Sequence, residues 1–276
     1  MPKTTAQLID GKALAEQILL ELKSKISKLN RPPGLAVILI GNDPASHRYV
    51  KKKKEACKKI GIEFHDYLCG GKFCPDVTEK QILDMIDFLN KDNNVDGILV
   101  QLPIPNKFST QKIINKIDPK KDVDGFHPEN KVIPSPLIRA IDEILNQAKE
   151  DLKDKTALIV SKNPIFSNPL NQSLAKHGLN VKTAKPDENL SNKTKQADVL
   201  ITVVGKPKLI KKSMVKKDAI VIDAGTTLVG KNIWQGDVDP KVTEVASWLT
   251  PVPGGIGPLT VAFLLKNTYE LAKEKQ

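Results

Sequence analysis

Short unbroken apolar runs alternate along the chain with stretches in which apolar residues recur every three or four positions. The runs occupy residues 35–40, 97–102, 157–160, 199–204 and 219–222. Strands covered on both faces read as continuous hydrophobic segments of this length, whereas half-exposed strands alternate. Amphipathic stretches at 11–29, 46–60, 79–90, 136–149, 169–177 and 242–248 carry the helical period. Strands that take turns with helices in this way predict an α/β protein, doubly wound around parallel sheets. The segment 118–125 is turn-rich and the alternation restarts after it, which places a domain boundary near residue 122. The expected domains are therefore 1–122 and 123–257. The loop 251–258 is too dense in proline and glycine for a simple linker. A last helix over 258–273 is expected to follow it, with 258–276 returning to the first domain.

A chain of 276 residues has room for two medium domains, and its 40% hydrophobic and 27% charged residues are ordinary for a soluble globular protein. No segment approaches the ~20 apolar residues of a membrane span, and the first ten residues lack the apolar centre of a secretion signal. Cys57, Cys69 and Cys74 are odd in number and lack metal-ligand spacing, so they read as incidental thiols in a reducing cytoplasm. A net charge of +11 admits nucleic acid or small anionic ligands as partners. Among the 43 basic residues, however, only Arg31, Arg48 and Arg139 are arginines, and aromatic residues make up 4%. Nucleic-acid readers rely on arginine forks and aromatic platforms, so small anions fit the charge better.

Candidate chemistry gathers in three segments. Tyr49 and Lys53 are four apart in a helical stretch, which puts a flat ring and an amine on one face a turn apart. Lys53 also lies in a run of four lysines, and like charge with partial burial lowers an amine's pKa toward values at which it accepts a proton. The run taken alone reads equally as a solvated helix face. Gln101 stands at the carboxyl end of a buried strand, where open α/β sheets bind ligands. The turn 121–128 carries Asp122 and Asp124, and a carboxylate turned inward suits a ligand with adjacent ring N–H donors. Singly, Gln101 reads as a structural amide, Asp124 as a turn carboxylate and His127 as a structural histidine; Gln101 and Asp124 beside Tyr49 and Lys53 point to a site.

Four segments carry a resemblance over nearly the whole chain: Tyr-Val-Lys-Lys-Lys at 49–53, Val-Gln-Leu-Pro-Ile-Pro at 100–105, Lys-Asp-Val-Asp-Gly-Phe-His-Pro at 121–128 and Pro-Val-Pro-Gly-Gly-Ile-Gly-Pro-Leu-Thr at 251–260. In this order and spacing they resemble the FolD family, the bifunctional methylenetetrahydrofolate dehydrogenase and methenyltetrahydrofolate cyclohydrolase of one-carbon metabolism. The resemblance implies that Tyr49 stacks on the folate, that Lys53 is the catalytic acid or base, that Gln101 orients Lys53 and that Asp124 hydrogen-bonds the pterin. It implies that Pro253, Gly254 and Gly255 line the folate cleft. It implies a folate-binding catalytic first domain, a Rossmann-like second domain that binds NADP or NAD, and a homodimer joined through that second domain. No metal, nucleic acid or membrane partner is implied.

The second domain departs from the family pattern. Where the family has Gly-x-Ser-x-x-Val-Gly-x-Pro, this chain has Ser-Lys-Asn-Pro-Ile-Phe-Ser-Asn-Pro at 161–169, with Ser161 and Ser167 in place of glycines. Those glycines permit a tight turn and close backbone approach to phosphate, so crowding of the dinucleotide is the expectation, and Pro164 removes a backbone donor. Ser161, Lys162 and Asn163 still offer polar contacts. Lys185 stands where the 2′-phosphate is expected, although Asp187 and Glu188 beside it would repel phosphate. Thr226 stands where a backbone contact to the nicotinamide end is expected. Residues 133–138 also differ from the family, whereas 204–207, 221–225 and 236–238 keep its pattern. Two alternatives stay open at this point: a cyclohydrolase with a degenerate nucleotide site, and a non-catalytic folate-binding protein.

Overall fold

The computed structural model describes residues 6–71, 74–130, 133–187, 189–231 and 233–275. The strands are β1 (Gln7–Leu8), β2 (Gly34–Ile40), β3 (Glu63–Cys69), β4 (Gly97–Gln101), β5 (Thr156–Ser161), β6 (Asn180–Ala184), β7 (Val199–Val203), β8 (Ile220–Asp223), β9 (Thr227–Gly230), β10 (Ile233–Gln235) and β11 (Trp248–Leu249). The α-helices are α1 (Gly11–Ile26), α2 (Pro44–Ile60), α3 (Glu79–Lys91), α4 (Thr110–Ile114), α5 (Pro136–Ala148), α6 (Pro164–Lys176), α7 (Leu190–Thr194) and α8 (Ile256–Lys273). The chain forms two compact units: Ala15–Pro136 with the residues from Val261 onward, and Leu137–Thr260 with the residues up to Leu14.

The first of these holds a three-stranded parallel sheet, β3-β2-β4. All seven residues of β2 are buried, because the strand is central and covered on both faces. Successive side chains alternate between faces. Leu35, Val37 and Leu39 pack with Leu22 of α1, Val50 and Cys57 of α2 and Leu264 of α8. Ala36, Ile38 and Ile40 pack with Ile82, Ile86 and Leu89 of α3. Asp96 locks the start of this sheet: it is fully buried, accepts two bonds from the Arg31 guanidinium at 2.8 and 2.7 Å, and accepts the Gly34 N–H at 2.9 Å. Asp43 caps α2 by accepting from the Ser46 N–H at 2.8 Å, and Gly61 closes the helix in the left-handed region at φ 87°.

The other unit holds six parallel strands in the order β1-β11-β8-β7-β5-β6. Leu158, Val160, Leu200 and Val221 form its core with Leu190, Val242 and Leu249. An antiparallel pair, β9 and β10, lies outside this sheet.

Several expected elements differ. The segment 242–248 is not an amphipathic helix: a 3₁₀ turn over Pro240–Glu244 leads into β11, where Val242 and Leu249 serve the sheet core. α6 starts at Pro164 and contains Pro169, the residue at which the sequence pattern begins it. α8 begins at Ile256, two residues before Pro258. The compact units meet at Pro136 and Leu137, so the expected boundary near residue 122 falls inside the three-stranded unit, and residues up to Leu14 join the six-stranded one. The reason is local: Asn267 of α8 donates to Val123 O at 2.8 Å and Pro134 O at 3.0 Å, tying the turn that follows residue 122 to the three-stranded unit.

Candidate active site

The site in the three-stranded unit is built where α2 runs past the carboxyl end of β4. The helical spacing places Tyr49, Lys53 and Cys57 one above another along α2. β4 ends on Gln101, whose Oε1 accepts from Lys53 Nζ at 2.8 Å. Gln101 Nε2 donates to Leu102 O at 2.8 Å, which fixes the amide with its oxygen toward the amine. Burial lowers the pKa of Lys53, opposed chiefly by the charge of Asp124. Burial also pushes the Cys57 thiol up to about 12, so it stays protonated and does not compete with Lys53 as a base. Tyr49 is half-buried one turn earlier on α2.

Asp124 completes the group. Desolvation raises its carboxyl to about 7 against the pull of Lys53, with Asp122 raising it further. Lys53 and Asp124 therefore sit within electrostatic reach of each other, each less inclined to carry charge than in water.

The turn that presents Asp124 is held from inside by Asp122. Its buried carboxylate accepts the N–H groups of Asp124 at 3.1 Å, Gly125 at 3.0 Å and His127 at 2.8 Å. Asn130 donates to Asp122 O at 2.8 Å and to its carboxylate at 3.1 Å. Gly125 has φ 70°, and a Cβ there would lie 2.7 Å from Ser135 N, so only glycine fits. His127 Nδ1 accepts from the Glu129 N–H at 3.1 Å, which leaves Nε2 to donate to Asn115 O at 3.2 Å. It is a structural histidine, as expected. Asp122, Asn130 and Asn267 were missed as supports. The aspartate two residues before Asp124 and the glycine after it are the signal of a side-chain-bonded turn that would have found Asp122; nothing local marks Asn267.

In the six-stranded unit, Ser161, Lys162 and Asn163 form the turn from β5 into α6. Ser161 is buried, and its Oγ accepts from Asn163 N and donates to Asn163 O, both at 3.2 Å. Its hydroxyl thus closes its own turn. Neither Ser161 nor Ser167 is among the described non-glycine residues with positive φ, so the serines sit in backbone that any side chain adopts. Pro164 is the first residue of α6, where an N–H has no partner within the helix. Lys185 is exposed just beyond β6. Asp187 is paired with Lys193 at 3.0 Å, and that hydrogen bond holds its carboxyl below the usual range. Glu188 lies outside the described residues. Thr226 is half-buried after β8. In the loop before α8, Pro253 is exposed, Gly254 has φ 113°, and Gly255 donates its N–H to Pro251 O at 2.8 Å.

Residues 9–124 match the family described as tetrahydrofolate dehydrogenase/cyclohydrolase, catalytic domain, and residues 136–276 match its NAD(P)-binding domain. The bifunctional protein FolD of a Nitratiruptor species is 42% identical over 98% of this chain and 99% of its own. That of Halalkalibacterium halodurans is 43% identical over 98% of this chain and 100% of its own. The FolD dehydrogenase/cyclohydrolase structure from Campylobacter jejuni aligns with a TM-score of 0.91 at 37% identity, over 98% of this chain and 100% of that one. The Trypanosoma brucei enzyme, in complex with NADP and an inhibitor, aligns with a TM-score of 0.92 at 29% identity, over 100% of this chain and 99% of that one. This chain belongs to the tetrahydrofolate dehydrogenase/cyclohydrolase family.

Proposed function

We propose that this enzyme oxidises 5,10-methylenetetrahydrofolate to 5,10-methenyltetrahydrofolate with NADP and hydrolyses the product to 10-formyltetrahydrofolate. The observation that carries this reading is the Lys53 amine held 2.8 Å from the Gln101 carbonyl oxygen and in reach of Asp124. In the hydrolytic step water attacks the cationic methenyl carbon. A neutral lysine removes the water's proton without opposing the bound cation, and burial shifts Lys53 in the direction of that neutral form. Gln101 aims the amine, Asp124 accepts from the ring N–H donors of the pterin, and Tyr49 offers a stacking face.

In the oxidation bound NADP⁺ would supply the hydride acceptor, and N10 of the folate the electrons that stabilise the product cation. No further acid or base is required of the protein; its role is to hold the partners in place. The six-stranded unit fits that cofactor. Ser161 occupies unstrained backbone, Lys185 is exposed beyond β6, and the charge of Asp187 is already met by Lys193. Lys162, Asn163 and Thr226 stand on the loops at the same end of the sheet. This reading covers both activities and supersedes a degenerate nucleotide site or a non-catalytic role. On this reading the folate chemistry belongs to the three-stranded unit and the cofactor to the six-stranded one, in a cytoplasmic homodimer.

The test is the initial rate of reduced nicotinamide formation by the purified protein from methylenetetrahydrofolate with NADP⁺ and, separately, with NAD⁺, alongside hydrolysis of methenyltetrahydrofolate. Turnover with NADP⁺ above NAD⁺ is expected, together with hydrolysis. Hydrolysis without turnover on either nucleotide would overturn the dehydrogenase half, and absence of both would overturn the proposal.

A further inference from the structure

Two carboxylates at the carboxyl edge of the six-stranded sheet, Asp223 and Asp237, take no part in the chemistry above. Asp223 is 2% exposed and Asp237 is fully buried. Asp223 Oδ1 accepts from Gly225 N at 3.0 Å, Asp237 N at 3.1 Å and Thr202 Oγ1 at 3.3 Å, and its Oδ2 accepts from Val238 N at 2.9 Å. Asp237 Oδ2 accepts from Val204 N at 2.8 Å and its Oδ1 from Lys206 N at 2.7 Å. The two are interlocked through glycines. A Cβ on Gly225 would lie 2.1 Å from the Asp237 carboxyl carbon, and one on Gly236 would lie 2.0 Å from Asp223 Oδ2. The charge of Lys162, on the turn after β5, also acts on Asp237.

One carboxylate pair therefore ties the backbone that leaves β7 to the backbone that leaves β8, beside the turn that leaves β5. β5, β7 and β8 are adjacent parallel strands, and ligands of open α/β sheets bind outside such carboxyl ends. Burial pushes Asp223 up to about 7 and raises Asp237 as well. Burying a carboxylate is costly unless it is hydrogen-bonded, and here both oxygens of each are spent on backbone N–H groups of the loops that leave the sheet. We infer that Asp223 and Asp237 are positioning residues for the dinucleotide, acting through the backbone at 204–206 and 225 that their oxygens and the facing glycines fix. The inference rests on the proposed use of NADP.

The test compares the intact enzyme with Asp237→Asn. An asparagine has one oxygen where two are used, so either Val204 N or Lys206 N loses its acceptor. The KM for NADP⁺ is expected to rise at least tenfold, with the KM for methylenetetrahydrofolate and the rate of methenyltetrahydrofolate hydrolysis within twofold of the parent. Asp142→Asn is the control, because Asp142 accepts from Ser173 and pairs with His177 within the same unit. It is expected to lower the Tm and leave the KM for NADP⁺ alone. If Asp237→Asn does not fold, Thr202→Val takes its place, removing a single donor to Asp223 with an expected threefold rise in the same KM. An unchanged KM for NADP⁺ in the folded variant would overturn the inference, as would parallel loss of both activities or the same rise in Asp142→Asn. A parent enzyme without NADP-dependent turnover would instead overturn the proposed function.

Discussion

Asp124 should destabilise the fold that it serves. Its carboxyl titrates near an ordinary value of 3.8 when unfolded and is pushed up to about 7 in the folded protein, first by desolvation. The folded state thus binds this proton more tightly than the unfolded state. Stability is greatest below the unfolded value and falls as pH rises toward 7. At 1.36 kcal/mol per pH unit the full displacement corresponds to about 4 kcal/mol. Asp124 is only half-buried, so solvent screening reduces this to about 2 kcal/mol. Asp124→Asn keeps the shape and removes the ionisation. The variant should therefore gain about 2 kcal/mol over the parent between pH 4 and pH 8. Urea unfolding at several pH values, followed by far-ultraviolet circular dichroism, measures this. Tryptophan fluorescence is unsuitable because Trp234 and Trp248 both lie in the six-stranded unit. The same variant should bind folate substrate more weakly by about 10- to 100-fold, the worth of a hydrogen bond to a charged group. A stability difference that does not change with pH would refute the reasoning.

Three further outcomes follow from the geometry. Arg31→Met strands the fully buried Asp96, whose carboxyl burial alone would push up but which Arg31, the Gly34 N–H and Lys275 together hold low; a loss of about 3–5 kcal/mol in urea unfolding of the three-stranded unit is expected. Lys185→Ala should raise the KM for NADP⁺ at least tenfold and leave that for NAD⁺ unchanged, since only the former carries the 2′-phosphate. Gln101→Leu removes the acceptor of the Lys53 amine and should slow hydrolysis by about 5- to 10-fold, the worth of a neutral hydrogen bond, with KM changed less than kcat.

Much of the site was legible because its residues carry their own geometry. The four-residue step from Tyr49 to Lys53 is a helical turn, and Gln101 closes a run that is hydrophobic because β4 is covered on both faces. The strands that escaped notice are those without such cover. β3 and β6 are partly exposed along their length, and their sequences Glu-Phe-His-Asp-Tyr-Leu-Cys and Asn-Val-Lys-Thr-Ala mix polar with apolar residues. β11 is two residues long, too short for any period. The turn at 161–163 shows why a missing glycine is a weak signal. Glycine is needed where φ is positive or a neighbour is close, and Ser161 meets neither condition in its own turn, whereas Gly125 meets both. Asn267 was invisible from sequence because its partners, Val123 and Pro134, lie over 130 residues away and are backbone carbonyls, which carry no residue identity.

The central claim is that Lys53, aimed by Gln101, handles the proton of the attacking water. Lys53→Met keeps the unbranched apolar stem of the side chain and removes the amine. Hydrolysis of methenyltetrahydrofolate by this variant should fall by about 10²–10⁴, the usual contribution of a positioned base, with an unchanged circular dichroism spectrum. A folded Lys53→Met variant that hydrolyses at the parent rate would contradict the account.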